Sequence, residues 1–103
     1  MKYLVSWTAR AGGSAKDNEA AVKRSLDVFG KWSPPADSTF HQFVARLDGT
    51  GGYAIVETDN PASVAEGPAK FGTLFDFTVV PVIDIMESVA IGQDAIEFRD
   101  SIS

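Results

Sequence analysis

The stretch Thr39–Thr58, TFHQFVARLDGTGGYAIVET, constrains this chain more than any other. Two β-prone arms, Phe40 to Leu47 and Tyr53 to Thr58, flank Asp48-Gly49-Thr50-Gly51-Gly52. Its glycines supply the positive φ angles that a tight reversal needs. The segment therefore reads as a β-hairpin, and everything on either side has to pack against it.

Upstream, Lys2 to Thr8 reads as a strand, with Tyr3, Val5 and Trp7 on one face and Leu4, Ser6 and Thr8 on the other. Ala11-Gly12-Gly13-Ser14 ends it. These glycines lack the Gly-Lys-Ser/Thr ending of a phosphate loop and the spacing of a dinucleotide fingerprint, so they read as a plain turn. A helix over 16–32 follows, opened by Ser14 and Asp17 at capping-box spacing. Val22, Leu26 and Phe29 form its apolar stripe, and Ser33-Pro34-Pro35 stops it. Downstream, Asn60-Pro61 marks a helix start. Gly67-Pro68 predicts a break, with one short helix over 61–66 and another turn over 69–75. Phe77 to Val89 reads as the last strand, placed at a sheet edge or paired with Pro81 turned outward, because Pro81 cannot donate to a ladder. Asp84 within it reads either as a carboxylate lining a cleft or as an edge-strand charge that blocks aggregation. Ile91, Ala95, Phe98 and Ile102 are spaced as the stripe of a short C-terminal helix.

The order β-α-β-β-α-β plus a terminal helix is the ferredoxin-like, split βαβ pattern of an α+β fold. At 103 residues the chain is expected to form one domain over residues 1–103. Large apolar groups stand on both faces of most strands, whereas a sheet with one wet face alternates cleanly. A second copy of the same sheet is the simplest cover for the face without helices, so a two-fold homodimer is expected. Tyr3, Val5, Trp7, His41, Phe43, Tyr53 and Ile55 are the expected dimer face.

Composition narrows the function classes. A net charge of −5 disfavours nucleic acid and anionic membrane as partners. The opening MKYLVSWTAR is not patterned as a signal peptide, and no stretch approaches the length of a membrane span; a cytoplasmic protein is expected. There is no cysteine and one histidine, which leaves no ligand set for zinc or non-haem iron. No cofactor is expected.

The opening strand, the GGYAIVET segment with Asp59-Asn60-Pro61, and the FTVVPVIDI strand resemble a small bacterial domain of unknown function in the dimeric α+β-barrel superfamily. The resemblance implies a dimer whose sheets face each other as a barrel. It also implies a cleft, between sheet and helices or inside the barrel, that holds a small organic molecule. Relatives in that superfamily include cofactor-independent monooxygenases and haem-degrading enzymes, but none of their active-site motifs is matched here.

His41 reads either as a half-buried histidine bonded to structure or as a general base, a haem ligand or a ligand-fixing hydrogen bonder. A turn centred on Thr50 would pair residues 43 and 57 and gather His41, Phe43, Tyr53 and Glu57 on one face. Trp7 and Trp32 are either core or pocket walls. No GxSxG elbow is present, and no nucleophile and base can be named together. The ligand-binding set expected from sequence is therefore Trp7, His41, Phe43, Tyr53 and Glu57, with no catalytic residue assigned. Two functions follow: a small-molecule-binding protein with an apolar cleft, or a cofactor-independent monooxygenase-like enzyme acting on an aromatic or polyketide-like substrate.

Overall fold

A computed structural model describes residues 1–10 and 12–102. The elements are β1 (Lys2–Ala9), α1 (Ala15–Lys31), β2 (Thr39–Ala45), β3 (Gly51–Glu57), α2 (Pro61–Phe71), β4 (Phe75–Val82) and α3 (Ile85–Ile102). The four strands form an antiparallel sheet in the order β2-β3-β1-β4, the ferredoxin-like arrangement with a C-terminal helix added. Pro81 stands in β4, an edge strand beside β1, as expected. The expected break at Ala11 to Ser14 falls partly outside the described residues.

Local chemistry explains the element boundaries. Ser14 and Asp17 form the expected capping box: the Asp17 N–H donates to Ser14 Oγ at 3.1 Å and the Ser14 N–H to Asp17 Oδ2 at 3.4 Å. Asn60 caps α2 by accepting from the Ala62 N–H at 3.2 Å. Two boundaries differ from expectation. The helix over 61–66 does not stop at Gly67-Pro68; α2 runs unbroken to Phe71. Proline removes one helical hydrogen bond there, yet Val64, Gly67, Pro68 and Phe71 all line the same apolar space, and that packing overrides the local preference. The last strand ends at Val82, not Val89. Asp84 and Glu87 are spaced as a capping box, with the Asp84 N–H donating to Glu87 Oε2 at 3.3 Å, so the chain turns helical at Ile85. Asp84 thus belongs to a helix start, where Lys2 Nζ meets it at 2.7 Å, and neither to a cleft wall nor to the strand.

Register decides which side chains share a face. The reversal is centred between Asp48 and Gly49 instead of on Thr50: the Gly49 N–H donates to Arg46 O and the Arg46 N–H to Gly51 O. Asp48 holds the turn by accepting from Arg46 and from the Thr50 hydroxyl and N–H, and these bonds keep its carboxyl far below the usual range. Phe43 consequently pairs with Ala54, not with Glu57. A β-bulge between Phe40 and Gln42 shifts the register by one residue, so Phe40 pairs with Val56 and Thr39 with Glu57.

The helix-side face carries Gly52, Ala54 and Val56 in β3, with Val5 opposite Ala54. Val5, Ala54, Val56 and Val64 of α2 form the small buried core. Trp7 lies across from Gly52 on the same face. A Cβ at Gly52 would stand 2.4 Å from the Trp7 indole and 2.4 Å from the Val44 carbonyl oxygen, so only glycine admits the ring there. The expected stripe of α1 is not buried. Val22, Leu26 and Phe29 are all more than half exposed, and α1 leans towards α2 through Trp32. Gly52→Ala should therefore lower stability by about 1–3 kcal/mol by overpacking, and change the near-ultraviolet dichroism of Trp7. Gly30→Ala, in open space within α1, should leave the melting temperature unchanged or slightly raised. Equal effects from the two substitutions would contradict the pairing of Trp7 with Gly52.

Candidate functional site

Between the sheet and the two helices lies an apolar cleft of about 320 Å³. Both tryptophans and six of the seven phenylalanines line it; the seventh is Phe98 on α3. The rings meet edge-on or tilted, with Trp7 and Phe43 centroids 5.6 Å apart and Trp32 and Phe71 5.8 Å apart. Five segments supply its rings, namely the end of β1, the end of α1, β2, the end of α2 and the start of β4, and Ala54 and Val56 of β3 complete the floor. Most of these rings stand near the ends of their elements, with Phe43 inside β2.

Ser63, Trp32 and the polar side chains beside them are already engaged. Ser63 donates its hydroxyl to Asp37 Oδ1 at 2.6 Å, and Asn60 Nδ2 donates to Asp37 Oδ2 at 3.3 Å. Those two bonds, Ser63 first, hold the Asp37 carboxyl below the usual carboxylate range. Trp32 Nε1 donates to Glu66 Oε2 at 3.2 Å, and Glu66 also pairs with Lys70. What remains facing the cleft is aromatic and aliphatic surface. No carboxylate, imidazole or amine stands among the residues that line it.

The sequence-derived site set divides between the two faces of the sheet. Trp7 and Phe43 line the cleft. Tyr53 and Glu57 alternate with the buried residues of β3 and stand on the opposite, open face. His41 joins them there because the bulge turns it out of the alternation: His41 Nε2 donates to Glu57 Oε1 at 2.6 Å. The expected dimer face is likewise split, with Tyr3, Val5, Trp7 and Phe43 on the helix side and His41, Tyr53 and Ile55 on the other. Phe40, Phe71, Phe75 and Phe77 complete the cleft and were not in the set read from sequence. Their signal was the placement of phenylalanines at element ends, where turns bring them together.

The family model for DUF3303, a domain of unknown function, matches residues 1–96. The chain belongs to this family. No curated protein matches it. Membership in DUF3303 assigns no reaction. Among the described residues no helix is long and apolar enough to cross a membrane, and no group of acidic, histidine or cysteine side chains is arranged to hold a metal ion.

The bond from His41 is the main cause that holds the Glu57 carboxyl below its ordinary value, with the positive charges of Lys2 and the chain's first amino group adding to it. A depressed carboxyl contributes stability above its unfolded value and loses it as pH falls through the folded value. Carbon-13 titration should give a Glu57 midpoint below that of an unperturbed glutamate, and His41→Ala should raise it. A midpoint unmoved by that substitution would contradict the pairing.

Proposed function

We propose that this protein binds a small apolar, ring-containing molecule in the cleft between sheet and helices, and that it does so as a homodimer. The observation that carries the reading is the cleft's lining: eight aromatic rings around about 320 Å³, with its neighbouring polar groups paired among themselves. That volume lies in the range of small-molecule pockets, and a lining of this kind binds by shape and desolvation. Both tryptophans border the space, so a bound fluorescent apolar dye should accept energy from them. Titration with an anilinonaphthalene dye, followed by competition with uncharged polycyclic compounds, should give saturable quenching at micromolar concentration. Absence of saturable binding up to millimolar dye would sink the ligand reading.

The dimer reading is supported by the open face, where Tyr53 and Val80 are both at least 40% exposed and Leu4 and Ile55 stand beside them. Facing sheets from two copies would form the barrel that the family resemblance implies. Sedimentation at micromolar concentration should give two copies for the native chain and one for Val80→Asp, because an unpaired charge resists burial. A folded Val80→Asp that remains dimeric would place the interface elsewhere.

The His41–Glu57 contact supports a second reading. A histidine held by a carboxylate is the usual arrangement of a general base, and facing sheets would enclose it. It would then take the proton of an acidic phenol or enol before oxygen reacts, as in a cofactor-independent monooxygenase. In that case His41→Ala abolishes oxygen uptake with such a substrate while the melting temperature stays within a few degrees. Loss of stability without any native turnover would make the pair structural.

A further inference from the structure

The C-terminal helix α3 is the part of this fold that its own chain leaves without a cover. Seven large apolar side chains on it, from Ile85 to Ile102, are exposed, and it makes no extensive packing contact with the sheet or the other helices. The molecule is correspondingly long, 64 × 31 × 20 Å, with a radius of gyration of 18.4 Å. A compact chain of this length would have roughly 13 Å. Its accessible surface, 7485 Å², exceeds the roughly 5,600 Å² of a compact monomer of this mass by about 1,900 Å². That excess is the area each copy of an obligate dimer covers, well above the about 800 Å² per partner of an ordinary interface.

The pattern on α3 says what kind of surface it needs. At about 100° per residue, Ile85, Val89 and Ile96 fall on one stripe and Ile91, Ala95, Phe98 and Ile102 on another, roughly 130° away. A helix with two apolar stripes fits a groove with two walls better than a flat sheet face. The fold has one such place. Val22 and Leu26 extend the stripe of Phe29 along α1, and Phe29 is itself a wall of the cleft. Charge agrees: α3 carries Glu87, Asp94, Glu97 and Asp100 against Arg99, whereas α1 from Val22 onward carries Lys23, Arg24 and Lys31 against Asp27.

We infer that α3 of a second copy lies along the Val22–Leu26–Phe29 stripe of α1 and brings its Phe98 to the open side of the aromatic cleft. The inference rests on the reading of that cleft as a ligand site and adds the wall it lacks. Reach permits it. An 18-residue helix is about 27 Å long. Facing sheets stand about 10 Å apart, and a packed helix lies another 8–10 Å or so beyond its partner surface. Leaving from the edge strand β4, α3 can pass round the sheet edge to the helix layer of the second copy. Two-fold symmetry makes the exchange reciprocal, so each copy closes the other's cleft.

The native chain has no cysteine, so introduced ones report alone. Full-length Leu26→Cys and Ala95→Cys variants are mixed in equal amounts and treated with a flexible bis-maleimide. The expected product joins position 26 of one variant to position 95 of the other, and Phe98→Asp in the second variant should reduce its yield at least tenfold. Phe98→Asp in the native background should also weaken binding of the anilinonaphthalene dye by tenfold or more, while far-ultraviolet dichroism still reports a folded chain and any fall in melting temperature follows protein concentration, as loss of association requires. Absence of the mixed product overturns the inference. So does a chain bearing both cysteines that links only to itself when mixed with an isotopically heavy copy, since α3 would then fold back on its own α1. Unchanged dye affinity in Phe98→Asp overturns it as well. If the native chain binds no dye at all, the ligand reading fails on its own account, and the cross-link alone decides whether α3 is exchanged.

Discussion

The register of the central hairpin is the constraint on which the rest of this structure depends. A strand has a period of two, so a shift of one residue moves a side chain from one face of the sheet to the other. Two local features set the parity here. Asp48 fixes the reversal between itself and Gly49, which sends Phe43 to the helix side opposite Ala54. The bulge at His41 then inserts one residue and turns the imidazole to the open side, beside Glu57. Without the first, the cleft would lose Phe43; without the second, His41 would point among the phenylalanines and Glu57 would lose its partner. The apolar cleft and the charged pair are therefore back to back on one sheet, separated by the thickness of a strand.

The same logic explains what could be read from sequence alone. Element order, the capping box at Ser14, the Asn60-Pro61 helix start and the edge position of Pro81 follow from interactions within a few residues, and each was legible. Parity in the hairpin was not. Asp48-Gly49 and Gly51-Gly52 both offer glycine to a turn, and only the side chain of Asp48, bonded to Thr50 and Arg46, decides between them. A bulge leaves no sequence mark at all in FHQFVA. Residues that read as one group from the alternation accordingly stand on two faces: Trp7 with Phe43 on one side, His41, Tyr53 and Glu57 on the other. The helical start at Asp84 was legible in principle, since Asp84 and Glu87 have capping-box spacing. It was masked by the β-branched run before it.

What covers the apolar surface is a question of amount as much as of pattern. Only Val5, Ala54, Val56 and Val64 form the buried apolar core among the described residues. That is little buried apolar surface to set against the conformational entropy lost when the chain is ordered. Eight aromatic rings add partial burial around the cleft, but the stripe of α1 and nearly all of α3 add little while they face water. On the proposed readings the missing burial comes from filling the cleft, from covering α1 and α3, or from both. The two are coupled through Phe29, which belongs at once to the exposed stripe of α1 and to the wall of the cleft. Whatever settles on that stripe changes the shape of the space behind it. Were a second copy to settle there, as proposed, association and ligand binding would act on one surface, and each would change the other's affinity by the same factor, as linkage requires.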